Sequence, residues 1–139
     1  MIVLDTSVVS ETLRLDPADA VKRWLEAQPA TSLFTTAICE AEILYGVALM
    51  PAGRRRTALE HAVAAIFAEE FAGHVLAFDS AAARAFAEIA ARRRRSGRPI
   101  SGLDAQIAAI ASSHGATVAT RNVEDFTDCG IMVVSPWKK

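Results

Sequence analysis

The amino-acid sequence predicts an α/β fold, a single domain with a mainly parallel five-stranded sheet and helices on both faces. Two observations carry this. Short β-prone apolar runs recur along the chain: IVLD at 2–5, SLFTTA at 32–37, HVLAFD at 74–79, ATVAT at 116–120 and IMVVS at 131–135. Segments with helical spacing separate them. Strands that alternate with helices pair in parallel, because each crossover helix returns the chain to the same end of the sheet. The 139 residues hold no internal repeat, low-complexity tract or linker, so one domain, 1–139, is expected.

Each element follows from local pattern. After IVLD, the stretch TSVVSETLR starts a helix, with Thr6 or Ser7 as the expected N-cap. Beyond Asp16-Pro17, ADAVKRWLEAQ places Val21, Trp24 and Leu25 at helical spacing. SLFTTA is the second strand. AICEAEILYGVALM runs as a helix until Pro51-Ala52-Gly53 breaks it. RRRTALEHAVAAIFAEEF reads as one long helix with Leu59, Val63, Ile66 and Phe67 on one face. HVLAFD is the third strand, and Asp79 is the expected N-cap of SAAARAFAEIAARRRR, which Ser96-Gly97 closes. In LDAQIAAIASSHG, Leu103, Ile107, Ile110 and Ala111 should face inward, and Gly115 is the stop. ATVAT is the fourth strand, VEDF a short turn or helix, and IMVVS the fifth strand.

Composition narrows the function classes. Apolar residues make up 52% of the chain, yet no stretch approaches the roughly 18 uninterrupted apolar residues of a membrane span. No basic residue precedes the first apolar run and Asp5 interrupts it, unlike a secretion signal. The expected location is the cytoplasm, with no membrane partner. Cys39 and Cys129 then read as free thiols and small core residues. The net charge of −1 says little about partners, but arginine comes in blocks, Arg54 to Arg56 and Arg92 to Arg95 with Arg98 beyond. Arginine suits bidentate phosphate contacts, whereas cations at a helix end also satisfy the macrodipole and solvent.

The chemistry lies in the acids. Ligands of an open α/β sheet bind at the carboxyl ends of its strands, where Asp5 stands. A buried unpaired carboxylate costs several kcal/mol, so Asp5 needs partners. Glu40 and Glu42 open the third helix, about 200° apart around its axis, so only one can face the site. Asp104 opens an apolar helix, and Asp125, with Asn122 three residues before it, follows the fourth strand. Acids gathered at one rim repel one another unless they hold a hard divalent cation. Such an ion activates water and neutralises a phosphodiester under attack. His61, His74 and His114 are too scattered to suggest a zinc set.

These residues bring a family into view. MIVLDTSVVSE, AEILYG, GRPISGLDAQIAAIA, VATRNVEDF and SPW, in that order, resemble the motifs of PIN-domain ribonucleases of the VapC toxin type, in the FitB-like branch. The resemblance spans nearly the whole chain. It implies a PIN-like domain in which Asp5, Glu42 and Asp104 are an acidic triad binding Mg2+ or Mn2+, and it selects Glu42 over Glu40. Relatives often carry an acid where this chain has Asn122, so the fourth position falls to Asn122 through its carbonyl oxygen, to Asp125, or to both. Thr120 matches the family's hydroxyl, Ser7 stands where many relatives have asparagine, and Thr6, next to Asp5, is a further supporting residue.

The implied activity is metal-dependent endoribonuclease cleavage leaving 5′-phosphate and 3′-hydroxyl ends. Arg54, Arg55, Arg92, Arg93 and Arg98 become candidates for RNA contact. The implied partners are an RNA substrate, a VapB- or FitA-like antitoxin whose tail enters the acidic groove, a second copy of the chain in a homodimer or larger assembly, and operator DNA only through the antitoxin. A haloacid-dehalogenase phosphatase would need an aspartate where Ser7 stands. The alternative that remains is an inactive PIN scaffold that binds an antitoxin or another regulatory partner.

Overall fold

A computed structural model describes residues 1–138. Five strands form one sheet: β1 Ile2–Leu4, β2 Leu33–Thr36, β3 Val75–Leu76, β4 Thr117–Ala119 and β5 Val133–Val134. Their order is β3-β2-β1-β4-β5, and every neighbouring pair is parallel. The chain first runs outward from β1 to β3, then returns to the other side of β1 as β4. That reversal is a topological switch point, and it opens a crevice at the carboxyl ends of β1 and β4.

Six α-helices connect the strands: α1 Thr6–Thr12, α2 Asp19–Glu26, α3 Ala37–Ala48, α4 Arg54–Ala65, α5 Ser80–Arg95 and α6 Gly102–Ser113. Their placement on both faces follows from strand alternation. Val3, Leu76, Val118 and Val133 point into a core with Ile89, Ile107 and Phe126. Ile2, Leu4, Val75, Ala119 and Val134 point the other way, to Val8, Val21, Ile43, Val47 and Val63. Each fully buried aliphatic side chain contributes about 1.5–3 kcal/mol. Among the described residues no helix is long and apolar enough to cross a membrane.

Leu59, Val63, Ile66 and Phe67 do share the second core, but their helix is not uniform, since Ile66–Glu70 forms a π turn after α4. Asp79 caps α5 as expected, accepting from the Ala82 N–H at 3.0 Å. Neither Thr6 nor Ser7 caps α1. Asp5 holds the N-cap position with an extended backbone and no side-chain cap bond. The hydroxyls of Thr6 and Ser7 instead serve carboxylates. Leu103 is 47% exposed rather than inward; closely packed Ala105, Ala108, Ala109 and Ala111 complete the buried faces of α6. Cys39 and Cys129 are free and buried, as expected.

Candidate functional site

The local backbone explains why Asp5 faces the crevice. Its carbonyl accepts from the N–H groups of Val8 and Val9 at 3.0 and 3.2 Å, so the main chain alone starts α1. The side chain is released from capping and only 6% of the residue is exposed. Its Oδ2 accepts from Thr120 Oγ1 at 2.8 Å and from Ser7 Oγ at 3.0 Å. Thr120 follows β4, so the two strands flanking the switch point meet through this carboxylate. The buried strand-end acid thus finds its partners in hydroxyls, which deliver charge-assisted hydrogen bonds without a fixed cation.

Glu42 arrives from α3. Thr6 Oγ1 donates to its Oε1 at 2.8 Å, and Thr6 is the residue after Asp5. Asp104 lies in the first turn of α6, where the Ser101 hydroxyl caps the helix by accepting the Asp104 N–H at 3.2 Å. Burial pushes the Asp104 carboxyl above the usual aspartate range. The hydrogen bond to Ser101 opposes this, and the negative charges of Asp5, Asp125 and Glu42 raise it further. Asp104 therefore senses three other carboxylates from three separate parts of the chain. Below them the fully buried Cys39 thiol is also pushed up, chiefly by burial, and so stays neutral.

Asn122 and Asp125 are exposed on the 3-10 turn Val123–Phe126 and its leading edge. The Asn122 N–H donates to Thr120 Oγ1 at 3.1 Å, which ties this turn to the Asp5 hydroxyl cluster. All the acidic candidates offer oxygen, the donor set of a hard divalent cation. Among the described residues, no three His, Cys, Asp or Glu side chains make a ready-made cage. An ion fitted here would take one or two carboxylates directly and reach the others through its waters, which is how Mg2+ usually binds.

A family model described as "PIN domain" matches residues 2–129. The chain belongs to the PIN-domain family. It is 41% identical to the VapC ribonuclease Y4jK of Sinorhizobium fredii, over 99% of both chains. It is 36% identical to the toxin FitB of Neisseria gonorrhoeae, again over 99% of both. Its fold matches a chain of the solved complex of FitAB bound to IR36 DNA with a TM-score of 0.94 and 36% identity, covering 100% of this chain and 97% of the other.

In this PIN domain the residues singled out from the sequence divide into two groups. Ser7 and Thr120 join Asp5 in one hydrogen-bonded cluster, with Asn122 attached through its backbone, and Thr6, next to Asp5 in the chain, binds Glu42 separately. Asp104 is half-buried and feels the charges of Asp5, Asp125 and Glu42. The arginine expectation needs correcting. Arg93 is 5% exposed, and its guanidinium is used by backbone carbonyls, so it does not face RNA. Arg92 and Arg98 are exposed but lean on the same loop, through Asp128 O at 3.3 Å and Thr127 Oγ1 at 3.1 Å. Arg54 and Arg55 are exposed, and Arg55 lines a groove of about 830 Å³ that also includes Thr6, Glu42, Gly46, Met50 and Leu59.

Two residues were missed from sequence. Arg121 stands between Thr120 and Asn122; its N–H donates to Ser7 Oγ at 3.1 Å and its guanidinium lies 5.2 Å from the Trp137 ring centroid. Its place in VATRNVEDF was the available signal. Glu11 is buried, accepts from the Ala18 N–H at 2.9 Å and pairs with Arg14 at 3.5 Å. Its signal was the helical spacing to Val8, which puts a carboxylate on the apolar face of α1.

Proposed function

We propose that this PIN domain is the toxin of a toxin–antitoxin pair and acts as a metal-dependent endoribonuclease. The observation that carries the reading is the pair of acids at the switch point, Asp5 held by Ser7 and Thr120 and Glu42 held by Thr6, the residue next to Asp5. The family match and the names of its relatives support RNA as substrate. Bound Mg2+ or Mn2+ would supply the charge that activates water and neutralises the phosphodiester. Asp5, Glu42 and Asp104 would hold that ion, with Asn122 offering a carbonyl oxygen and Asp125 the fourth negative charge. Ser7 and Thr120 fix the orientation of Asp5, and Thr6 fixes Glu42. Arg121, whose backbone binds Ser7 and whose guanidinium lies over Trp137, and the exposed Arg54 and Arg55 are the candidates for RNA phosphate contact, Arg55 from the groove.

The solved FitAB complex with DNA supports a FitA- or VapB-like antitoxin as partner; in this reading the antitoxin reads the operator DNA and the toxin is a dimer. The groove beside Glu42 suits a peptide tail with an apolar body and a cationic tip. The inactive-scaffold reading has one observation in its favour, Asn122 at a position where an acid would strengthen metal binding. One experiment separates the two. The purified chain should cut RNA with Mg2+ or Mn2+ and stop in EDTA, and Asp5→Asn or Asp104→Asn should lose cleavage while staying folded. Undiminished cleavage in EDTA rejects the metal; a folded wild type that binds antitoxin but never cuts RNA supports the scaffold.

A further inference from the structure

We propose that Arg93 is a positioning residue that clasps together the two chain segments carrying Asp104 and Asp125. It sits in the last turn of α5 and is buried, whereas its neighbours Arg94 and Arg95 are exposed as a helix-end cation should be. Its Nε donates to the Arg98 carbonyl at 2.7 Å. Its Nη1 donates to the carbonyls of Asp125 and Thr127 at 2.9 and 3.0 Å, and lies 3.6 Å from Cys129 Sγ. One rigid fork of donors thus spans two segments that are remote in sequence.

The first segment runs from α5 to α6. The Arg98 N–H donates back to the Arg93 carbonyl at 2.9 Å, so residues 93 and 98 are bonded in both directions. Three residues later Ser101 caps α6 and sets Asp104. The second segment is the turn with Asp125, followed by Asp128 at φ 56° and Gly130 at φ 71°. A non-glycine residue in the left-handed region costs free energy and persists only where its surroundings hold it. Arg92 and Arg98 add their bonds to Asp128 and Thr127, but among the described residues only the buried Arg93 reaches both segments from inside. The basic run after α5 therefore acts inward, on the geometry between two acids.

The activity side of this inference rests on the metal-dependent reading above; the clasp itself does not. Arg93→Lys keeps the charge but loses the planar fork, so it cannot reproduce the same donor directions. In the full-length chain, hydrogen exchange should accelerate together in residues 98–104 and 122–129. By calorimetry Mn2+ should bind about tenfold or more weakly, the size of effect seen when groups that orient metal ligands are removed. RNA cleavage at saturating Mn2+ should return to within about threefold of wild type, as a lost metal-site geometry predicts and a general loss of fold does not. Should Arg93→Lys not fold, Arg98→Ala cuts the Thr127 side-chain tie and should give the same pattern, smaller in size. Unchanged Mn2+ affinity beside faster exchange would reduce Arg93 to a structural residue, and exchange that rises in one segment alone would refute the clasp. A wild type that binds no Mn2+ overturns the proposed function, while the paired exchange result still decides the clasp.

Discussion

Thr120→Val removes one hydroxyl from the centre of the site and keeps nearly the same shape. That hydroxyl donates to Asp5 Oδ2 at 2.8 Å and accepts the Asn122 N–H at 3.1 Å. Asp5 is almost wholly buried, so water cannot easily replace the lost donor. A hydrogen bond to a charged group contributes about 1.5–3 kcal/mol, and Ser7 still holds the same oxygen. For a chain of 139 residues the unfolding entropy near the midpoint is about 0.29 kcal/mol/K, so the melting temperature should fall by roughly 5–10 °C. Thr120→Ser, which loses only a methyl group, should cost about 1 kcal/mol. The decisive assay is a double-mutant cycle of Thr120→Val with Asp5→Asn, read by thermal melting of the metal-free protein. The coupling should be at least about 1 kcal/mol, because the valine costs much less once the carboxylate is neutral. A coupling below about 0.5 kcal/mol would mean that the Thr120 hydroxyl does not support the Asp5 charge.

Asp104 gives a prediction of sign. Its carboxyl is raised on folding, so its favourable, protonated form stabilises the protein at low pH and is lost as pH rises through the raised value. The ionised form at pH 8 is a cost in the metal-free protein. Asp104→Asn should therefore raise the melting temperature at pH 8, with the gain shrinking as pH falls toward 4; a lower melting temperature at pH 8 would refute a charged Asp104 made costly by burial and by its acidic neighbours. Glu11 tests an acid with a purely architectural place. Glu11→Ala leaves the half-buried Ala18 N–H without its charged acceptor and should cost about 1–3 kcal/mol, while RNA cleavage per folded molecule stays at the wild-type level. A drop in specific cleavage with an unchanged melting temperature would place Glu11 in the chemistry instead.

Local pattern determined a good deal. The five strand runs, the break at Pro51-Ala52-Gly53, the Asp79 cap and the acids at strand and helix starts are written in short stretches of chain, because periodicity and capping act over a few residues. The apolar faces around Val21 and Val63 were legible for the same reason. Which side chain meets which was a different matter. Two glutamates two residues apart look alike until α3 docks and Thr6 reaches Glu42. A run of arginines reads as a solvated or phosphate-facing surface until α5 packs and turns Arg93 toward carbonyls more than thirty residues away. Thr6 and Ser7 follow a strand as caps should, yet the Asp5 backbone starts the helix by itself and frees both hydroxyls for carboxylates. Sequence specifies the elements because their causes are near neighbours; only the tertiary fold decides the site, because its hydrogen bonds join residues that the chain holds far apart.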